Sequence, residues 1–590
     1  MNTPSPRPAD RVLVNGRFYT VNDDHPWVEA VAITDGTITF AGSTAEASAW
    51  TGSETEIQDL DGNLVFPAFI DSHTHPGLVA LGGSAAPLPF TDVKPLPFAT
   101  KETLLAGLDD YVKANPEAPC IWGAAWRQED FGSDGPDKHD LDAIESERPV
   151  VLLERWAHGC WLNSKALELV DAENQDPRDI VADLTGFQRD ENGDLTGWGI
   201  EGAGWTALSA VARILGPTDE VREILQTYLD YLVAHGVTTL FDAGNLGFFD
   251  MIYQTLSELD AAGTLPLRYE GCHHVYLPTQ LDTAVSELRR LQATYTGPNI
   301  GFRTVKVHFD GLHTAKTGAL LEPYSNAPHT RGATLVSEDR MVDFIVELHE
   351  EELDLHVHCW GDQSARTMLN AYDRARRQVG NDLAVRLTLT HLPLLAEEDI
   401  PRFAELGVIA SFTPAWNGDV PTEFFEESYG PERTGRVFRI RPLIESGAVL
   451  AFCSDTVSLG WIDFSDPFYS MQVSHNRQAA DGGPNAPVLG DPAERLELTD
   501  LVRGYTRGAA YQLRMESTHG SIEPGKAADL MVVDRDVFTE NRYRIKDTRV
   551  LETIRAGRTI YQRTPEAIQA EHAFEQALTE IYTPLKPDCC

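Results

Sequence analysis

The chain has 590 residues, 42% of them hydrophobic, and a formal net charge of -42 at pH 7, enough length for two or more domains. The acidic residues are spread along the chain, which argues against nucleic-acid binding, and no run of about 18 apolar residues offers a membrane span. Seven scattered cysteines, with no Cys-x-x-Cys, suit a reducing cytoplasm better than a disulfide scaffold, and the polar, Pro-rich stretch Met1 to Arg11 lacks the apolar core of a secretory signal. Ten of the 48 basic residues are lysine, so a lysine inside an apolar strand stands out. A salt-adapted source and a GC-rich one would both give this balance.

In chain order, the first segment reads as short strands punctuated by Gly or Asp-Gly: Arg11 to Gly16, Ala30 to Gly36 and Thr37 to Gly42. Leu64 to Ile70 reads as one buried strand that ends in His73-Thr74-His75. Residues i and i+2 of a strand point the same way, so both imidazoles can grip one cation. Further strands end near Asp242, Val275, Phe309, His358, His391, Pro414 and Asp455, making eight. Helical segments lie between them at Thr218–His235, Gln280–Tyr295, Ser337–Glu352, Asp362–Val379 and Leu395–Leu406. Eight such units predict an α/β fold, a parallel (β/α)8 TIM-like barrel. The gap after the first strand is far longer than one helix, so an insertion of about 77–217 is expected over the active site. Strands at Cys120–Trp126 and Val150–Glu154 and a hairpin turn at Asp190–Asp194 are expected inside it. Gly520 to Asp534 reads as two strands around a Pro-Gly turn, and Val550 to Tyr561 adds more. Residues 1–66 and 510–565 are thus expected to form one composite β-sandwich, 67–509 the barrel, and 566–590 a helical tail.

Catalytic groups of such barrels sit at the C-terminal ends of the strands. His73 and His75 end the first, Lys306 lies in the fourth, His356 and His358 in the fifth, His391 ends the sixth and Asp455 the eighth. Their joint occurrence at five strand ends points to a metal site.

With Pro67 to His75, His358-Cys359-Trp360-Gly361-Asp362, Thr390-His391-Leu392, Cys453-Ser454-Asp455 and Gly520 to Asp529, the sequence resembles the amidohydrolase superfamily of metal-dependent hydrolases. More narrowly it is similar to the branch that includes N-substituted formamide deformylases, where the long insertion and the run Trp161 to Leu167 are also typical. The resemblance implies that His73 and His75 bind the more buried metal. It implies that Lys306 is carboxylated to a carbamate bridging two metals, and that His358 and His391 bind the second. Asp455 would hold the metal-bound water and serve as general acid/base. Zinc is the expected cofactor, one or two ions per chain, and Mn or Fe would do the same work. By the same analogy a homodimer is the common assembly.

Candidate substrate-binding residues are Trp126, His158, His308 and Asp310. The insertion is rich in tryptophan (Trp122, Trp126, Trp156, Trp161, Trp198, Trp205), with Arg127 and Gln128 among them. These rings either line an apolar pocket or form the insertion's own core. His356 reads as packing behind the site, and Asp362 as a helix N-cap or a partner of a ligand. The branch cleaves C–N bonds of amides, so the expected substrate is an apolar N-acyl amine. The alternatives are a cyclic amide, carbamate or ester on the same scaffold, heterocycle deamination, and a non-catalytic member that keeps the fold.

Overall fold

Eight parallel strands form the centre of the structure, a computed structural model that describes residues 7–83, 101–126, 128, 131–132, 135–154, 156–380 and 382–582. In chain order the strands are β1 (Phe69–Thr74), β2 (Val237–Asp242), β3 (Arg268–Val275), β4 (Ile300–His308), β5 (Asp354–Cys359), β6 (Leu387–His391), β7 (Ile409–Phe412) and β8 (Val449–Phe452). Each neighbours the next in sequence. Helices cover them, as a parallel sheet requires on its faces, and the (β/α)8 expectation holds. The helix Asp219–Ala234 is representative: the Thr218 hydroxyl accepts the Val221 N–H at 3.2 Å, a cap worth about 1 kcal/mol. Val221, Leu225, Tyr228, Leu229, Leu232 and Val233 form its buried stripe.

No backbone ladder joins β1 to β8 among the described residues. The gap is closed by polar bonds just beyond it. The Ser72 hydroxyl donates to the Phe452 carbonyl at 2.8 Å, and the Asp455 N–H donates to the His73 carbonyl at 2.9 Å. The Asp71 carboxylate accepts the Ser454 hydroxyl at 2.6 Å, the Ser454 N–H at 3.1 Å and the His73 N–H at 3.3 Å.

Two further sheets lie outside the barrel, one of them reached through the strand Leu64–Pro67 just before β1. One has the order Thr37–Gly42, Ala30–Thr34, Arg11–Val14, Glu56–Asp59; the other runs Arg558–Gln562, Val550–Arg555, Leu530–Val533, Leu64–Pro67, Arg17–Tyr19, Trp27–Val28. The second therefore joins strands from both ends of the chain, with Leu530–Val533 antiparallel to Leu64–Pro67. Leu13, Phe18, Val31, Ile33, Val65, Leu530 and Val532 fill the space between the two sheets. A five-stranded sheet lies in the insertion, ordered Gly186–Arg189, Leu195–Ile200, Gly159–Leu162, Val150–Glu154, Ile121–Trp126.

Several elements differ from expectation. The single strand Leu64 to Ile70 is two strands in two sheets: Ala68 N–H bonds to Asp529 and Phe69 N–H to Gly236, so the chain changes partner at that residue. Only Leu530–Val533 is a strand within Gly520 to Asp534; on its N-terminal side a lone bridge pairs Ala527 with Thr37. Ala509, Ala510 and Met515 pack on Ile70 of β1, so the chain around residue 510 belongs to the barrel's packing rather than to the sandwich. Gly361, not Asp362, is the N-cap of the helix Asp362–Val379; the Asp362 carboxylate accepts the Leu321 N–H. Arg127 and Cys589-Cys590 lie outside the described residues.

Ser454→Ala removes the hydroxyl donor from buried Asp71 while leaving the backbone N–H bonds. We expect a loss of about 1–3 kcal/mol in unfolding free energy, read from the midpoint of urea denaturation; an unchanged midpoint would show that the seam does not depend on this bond.

Candidate active site

The strand ends place the site. His73 and His75 sit one residue apart across the end of β1. Register sets Lys306 of β4 between His274 of β3 and His356 of β5, and His308 beside His358. His391 is the last residue of β6, and Asp455 lies three residues past β8. His391 and Asp455 have φ of +77° and +50°, the left-handed region that non-glycine residues rarely adopt. Such strain persists where surrounding structure enforces it, and it gathers at functional sites.

His75 Nδ1 faces the Gly244 carbonyl at 2.8 Å. A carbonyl only accepts, so Nδ1 carries the proton and Nε2 its lone pair. That Nε2 is 3.3 Å from His73 Nε2 and 3.3 Å from Asp455 Oδ1. His73 Nε2 is likewise 3.3 Å from the same oxygen, its Nδ1 being engaged by His356 Nε2 at 2.8 Å. Lys306 Nζ stands 3.4 Å from His73 Nε2, and His391 Nδ1 3.4 Å from Asp455 Oδ2. Two imidazole nitrogens and a carboxylate oxygen thus converge on one point, a donor set that a divalent cation satisfies. Burial holds His73, His358 and His391 well below the ordinary histidine pKa, the neutral form a ligand needs. Lys306 is lowered to about 8 by burial. Burial alone would raise Asp455, but His391, His75 and Lys306 outweigh it and keep the carboxylate ionised.

A second group lies beside the first. His158, His308 and His358 bring ring nitrogens within 4.8 Å of one another, with His308 stacked on His358 at 4.1 Å. His158 Nδ1 donates to Glu201 Oε2 at 2.8 Å, and His358 Nδ1 to Asp310 Oδ1 at 3.1 Å. Burial would raise Glu201, yet His158 and His308 hold it at about 2. Burial pushes Asp310 up to about 7 against the pull of N–H donors from Trp360, Gly361 and Ala319. His358 therefore faces His391, 4.4 Å between ring centroids, and His308 alike.

These groups line one cavity of about 120 Å³. Its remaining wall is apolar and largely aromatic: Trp156 from the insertion meets Phe424, beyond β7, at 4.9 Å and Trp461, beyond β8, at 5.5 Å. His158 and His308 line it as expected. Trp126 does not. Its Nε1 donates to the Leu152 carbonyl, and its ring packs with Leu104, Leu141 and Trp161, because a register shift just before it turns it to the face opposite Trp122. Asp310 also stays off the cavity wall, fully buried behind His358. His356 stands behind His73, as read.

Sequence reasoning missed Glu201 and His274. Among 90 acidic residues a lone Glu at a strand end carries no signal. His274 was findable, since in a His-His pair ending a barrel strand one ring must face inward; neither of its ring nitrogens has a hydrogen-bond partner among the described residues.

Residues 56–561 match the amidohydrolase family. The chain belongs to that family. The putative amidohydrolase YtcJ of Bacillus subtilis is 26% identical, over 93% of this chain and 99% of its own. The N-substituted formamide deformylase of Arthrobacter pascens is 24% identical, over 94% and 99%. An uncharacterized metal-dependent hydrolase from Pyrococcus furiosus superposes with a TM-score of 0.63 at 25% identity, covering 90% of this amidohydrolase and 100% of itself. The chain is thus a metal-dependent hydrolase of the class that acts on C–N bonds.

His75→Ala removes one of the three converging donors. The purified variant should retain less than about a tenth of the wild-type divalent metal, by the 10–100-fold cost in affinity that even indirect ligand support carries, measured by elemental mass spectrometry. Full metal content would take His75 out of the site.

Proposed function

We propose that this amidohydrolase cleaves a non-peptide amide bond of an N-substituted formamide or other apolar N-acyl amine. The observation that supports it most is the convergence of His73, His75 and Asp455 at 3.3 Å, beneath an aromatic wall. A cavity of about 120 Å³ suits a small acyl group, and Trp156, Phe424 and Trp461 offer apolar surface to the substituent on nitrogen.

His73, His75 and Asp455 would hold the more buried cation, and His358 and His391 a second one, with zinc the occupant that the nitrogen-rich set suits best. When bound, the metal supplies a water of lowered pKa and polarises the acyl oxygen. Asp455 takes the proton of the attacking water and delivers it to the leaving nitrogen. Its two oxygens face different histidines, Oδ1 toward His73 and His75 and Oδ2 toward His391, so the carboxylate is held while the proton moves. His356 behind His73 and the Gly244 carbonyl behind His75 fix both rings. Burial of Lys306 makes a neutral amine accessible near neutral pH, which is the form that adds CO₂ to give a carbamate and release a proton. The five described cysteines are free and buried, which suits the reducing, cytoplasmic setting we favour.

Amine release should be followed for the zinc-loaded protein across N-formyl, N-acetyl and longer N-acyl amines, lactams, carbamates and esters. Asp455→Asn should keep much of its metal and lose at least about a thousandfold in kcat, at the upper end for a lost general acid/base. Turnover within tenfold of wild type would remove Asp455 from that role. Activity confined to rings, carbamates or esters would replace the linear-amide reading. Lys306→Ala should lose one metal equivalent, partly restored by small carboxylic acids such as acetate; unchanged metal content would leave Lys306 without a ligand role.

A further inference from the structure

The two groups that sequence reasoning missed differ in how well they are partnered. Glu201 follows the strand Leu195–Ile200 with φ of +49°, which turns its carboxylate out of the insertion and into the barrel mouth. Oε2 accepts His158 Nδ1–H at 2.8 Å and Oε1 the Thr317 hydroxyl at 2.6 Å. Gly311 leaves the space, since a Cβ there would stand 2.0 Å from Oε1. His274 has no such partners. It is the penultimate residue of β3 and lies level with Lys306 of β4, so both side chains project to the same side. Both line the cavity, with 1% and 2% of their surface exposed. His356 is level with Lys306 on the other flank, and its Nε2 is committed to His73 at 2.8 Å. Neither ring nitrogen of His274 has a partner among the described residues. An imidazole carries an N–H in either tautomer and when charged, and a buried donor without an acceptor is expensive. Gly244 fills one edge of the ring, because a Cβ there would stand 2.4 Å from Nδ1. A ligand therefore reaches the ring at Nε2.

We propose that His274 is a positioning residue whose Nε2–H bonds an oxygen of the carbamate carried by Lys306. This rests on the carbamate reading of Lys306 given above. Lys306 is itself short of partners: its Nζ lies 3.4 Å from His73 Nε2, and no carboxylate pairs with it among the described residues. Carboxylation joins Nζ to the carbon of CO₂. One C–O π bond breaks to leave a negative oxygen, and a proton of Nζ departs to solvent. The product is an anion with two acceptor oxygens, level with a ring whose donor has none to meet, and a hydrogen bond to a charged acceptor is among the strong ones. Depth favours the lysine over a substrate as that partner. His308 lies two residues nearer the mouth on β4 and is 8% exposed, against 1% for His274, so a substrate entering from the mouth meets His308 first. The bond would hold the plane of the carbamate, as groups behind a metal ligand usually do.

The test takes wild type, His274→Leu and His274→Gln, reloads each with zinc, and dialyses it against a range of carbon-13 bicarbonate concentrations. Carbamate is read by carbon-13 NMR, with Lys306→Ala as the blank, and zinc by elemental mass spectrometry. Leucine keeps the bulk and lacks the donor. Its half-maximal bicarbonate concentration should rise at least about tenfold, the size of a hydrogen bond to a charged acceptor, and uptake of the second zinc should follow the same curve. High bicarbonate should restore both, which it would not do for a defect of packing alone. Glutamine, whose amide can donate from a similar reach, should stay within about threefold of wild type; a glutamine variant no better than leucine would count against the donor. A His274→Leu curve that superimposes on wild type would overturn the proposal and leave the carbamate standing. No carbamate signal in wild type at saturating bicarbonate would remove the carbamate reading and the proposal with it. Should His274→Leu fail to fold, nitrogen-15 NMR of histidine-labelled wild type takes its place. The signal missing from His274→Gln should move when bicarbonate is added to CO₂-free protein, and a fixed signal would sink the role. None of these measurements involves a substrate, so each stands whatever amide the enzyme turns over.

Discussion

The site depends on how the barrel is shut. A parallel sheet of eight strands leaves two edges to be joined, and an unpaired edge is a liability. Here the joint between β1 and β8 is made beyond the strands, by the Asp71 carboxylate spanning to the Ser454 hydroxyl and N–H and by the Asp455 N–H on the His73 carbonyl. Asp71 precedes His73 by two residues, and Ser454 precedes Asp455 by one. The bonds that shut the barrel therefore also fix the distance between the histidine pair and the carboxylate that faces it. Burial lifts Asp71 to about 6, so the three donors that meet it hold a group that would otherwise prefer to be neutral. Folding and site assembly are one event at this seam.

Around that seam the site keeps its histidines oriented. His75 leans on a backbone carbonyl, His73 on another imidazole, His358 on Asp310 and His158 on Glu201. In each case the outer atom of the ring is engaged and the inner one is left to the cavity, an arrangement that fixes tautomer as well as direction. Left-handed backbone at His391 and Asp455 adds rigidity at the two positions where a side chain must turn back from a loop over the barrel mouth. The aromatic wall contributes by excluding water, which strengthens every electrostatic contact beneath it.

Much of this was legible in the chain. Strand ends at Asp242, Val275 and His391 were read to the residue, and that near His358 to within one, because a buried parallel strand is a continuous apolar run and its polar terminus marks the mouth. The helix Asp362–Val379 was likewise read from its period. The break at Ala68 was not, since the residues on either side are equally apolar and the change of partner is a tertiary fact. Trp126 and Asp310 were placed on the cavity by composition, whereas one faces the insertion's core and the other supports His358 from behind. What decides such cases is which face of a short sheet meets the barrel, and nothing local in the sequence encodes that. Glu201 escaped because its importance lies in a backbone angle and in the empty space left by Gly311, neither of which has a residue-type signature.

The socket for Glu201 also bears on how the two parts of the molecule could be recombined. Insertions of this length are natural units to exchange between related barrels in order to change substrate preference. Here the insertion's carboxylate is received by a glycine and a threonine in the loop after β4, so half of the fitting belongs to the recipient. A graft that brought the insertion without that loop would push a buried charge against a methyl group and set the new roof askew over an intact metal site. Modularity in this enzyme ends where that carboxylate crosses from one part to the other, and productive chimaeras would have to carry both sides of the joint together.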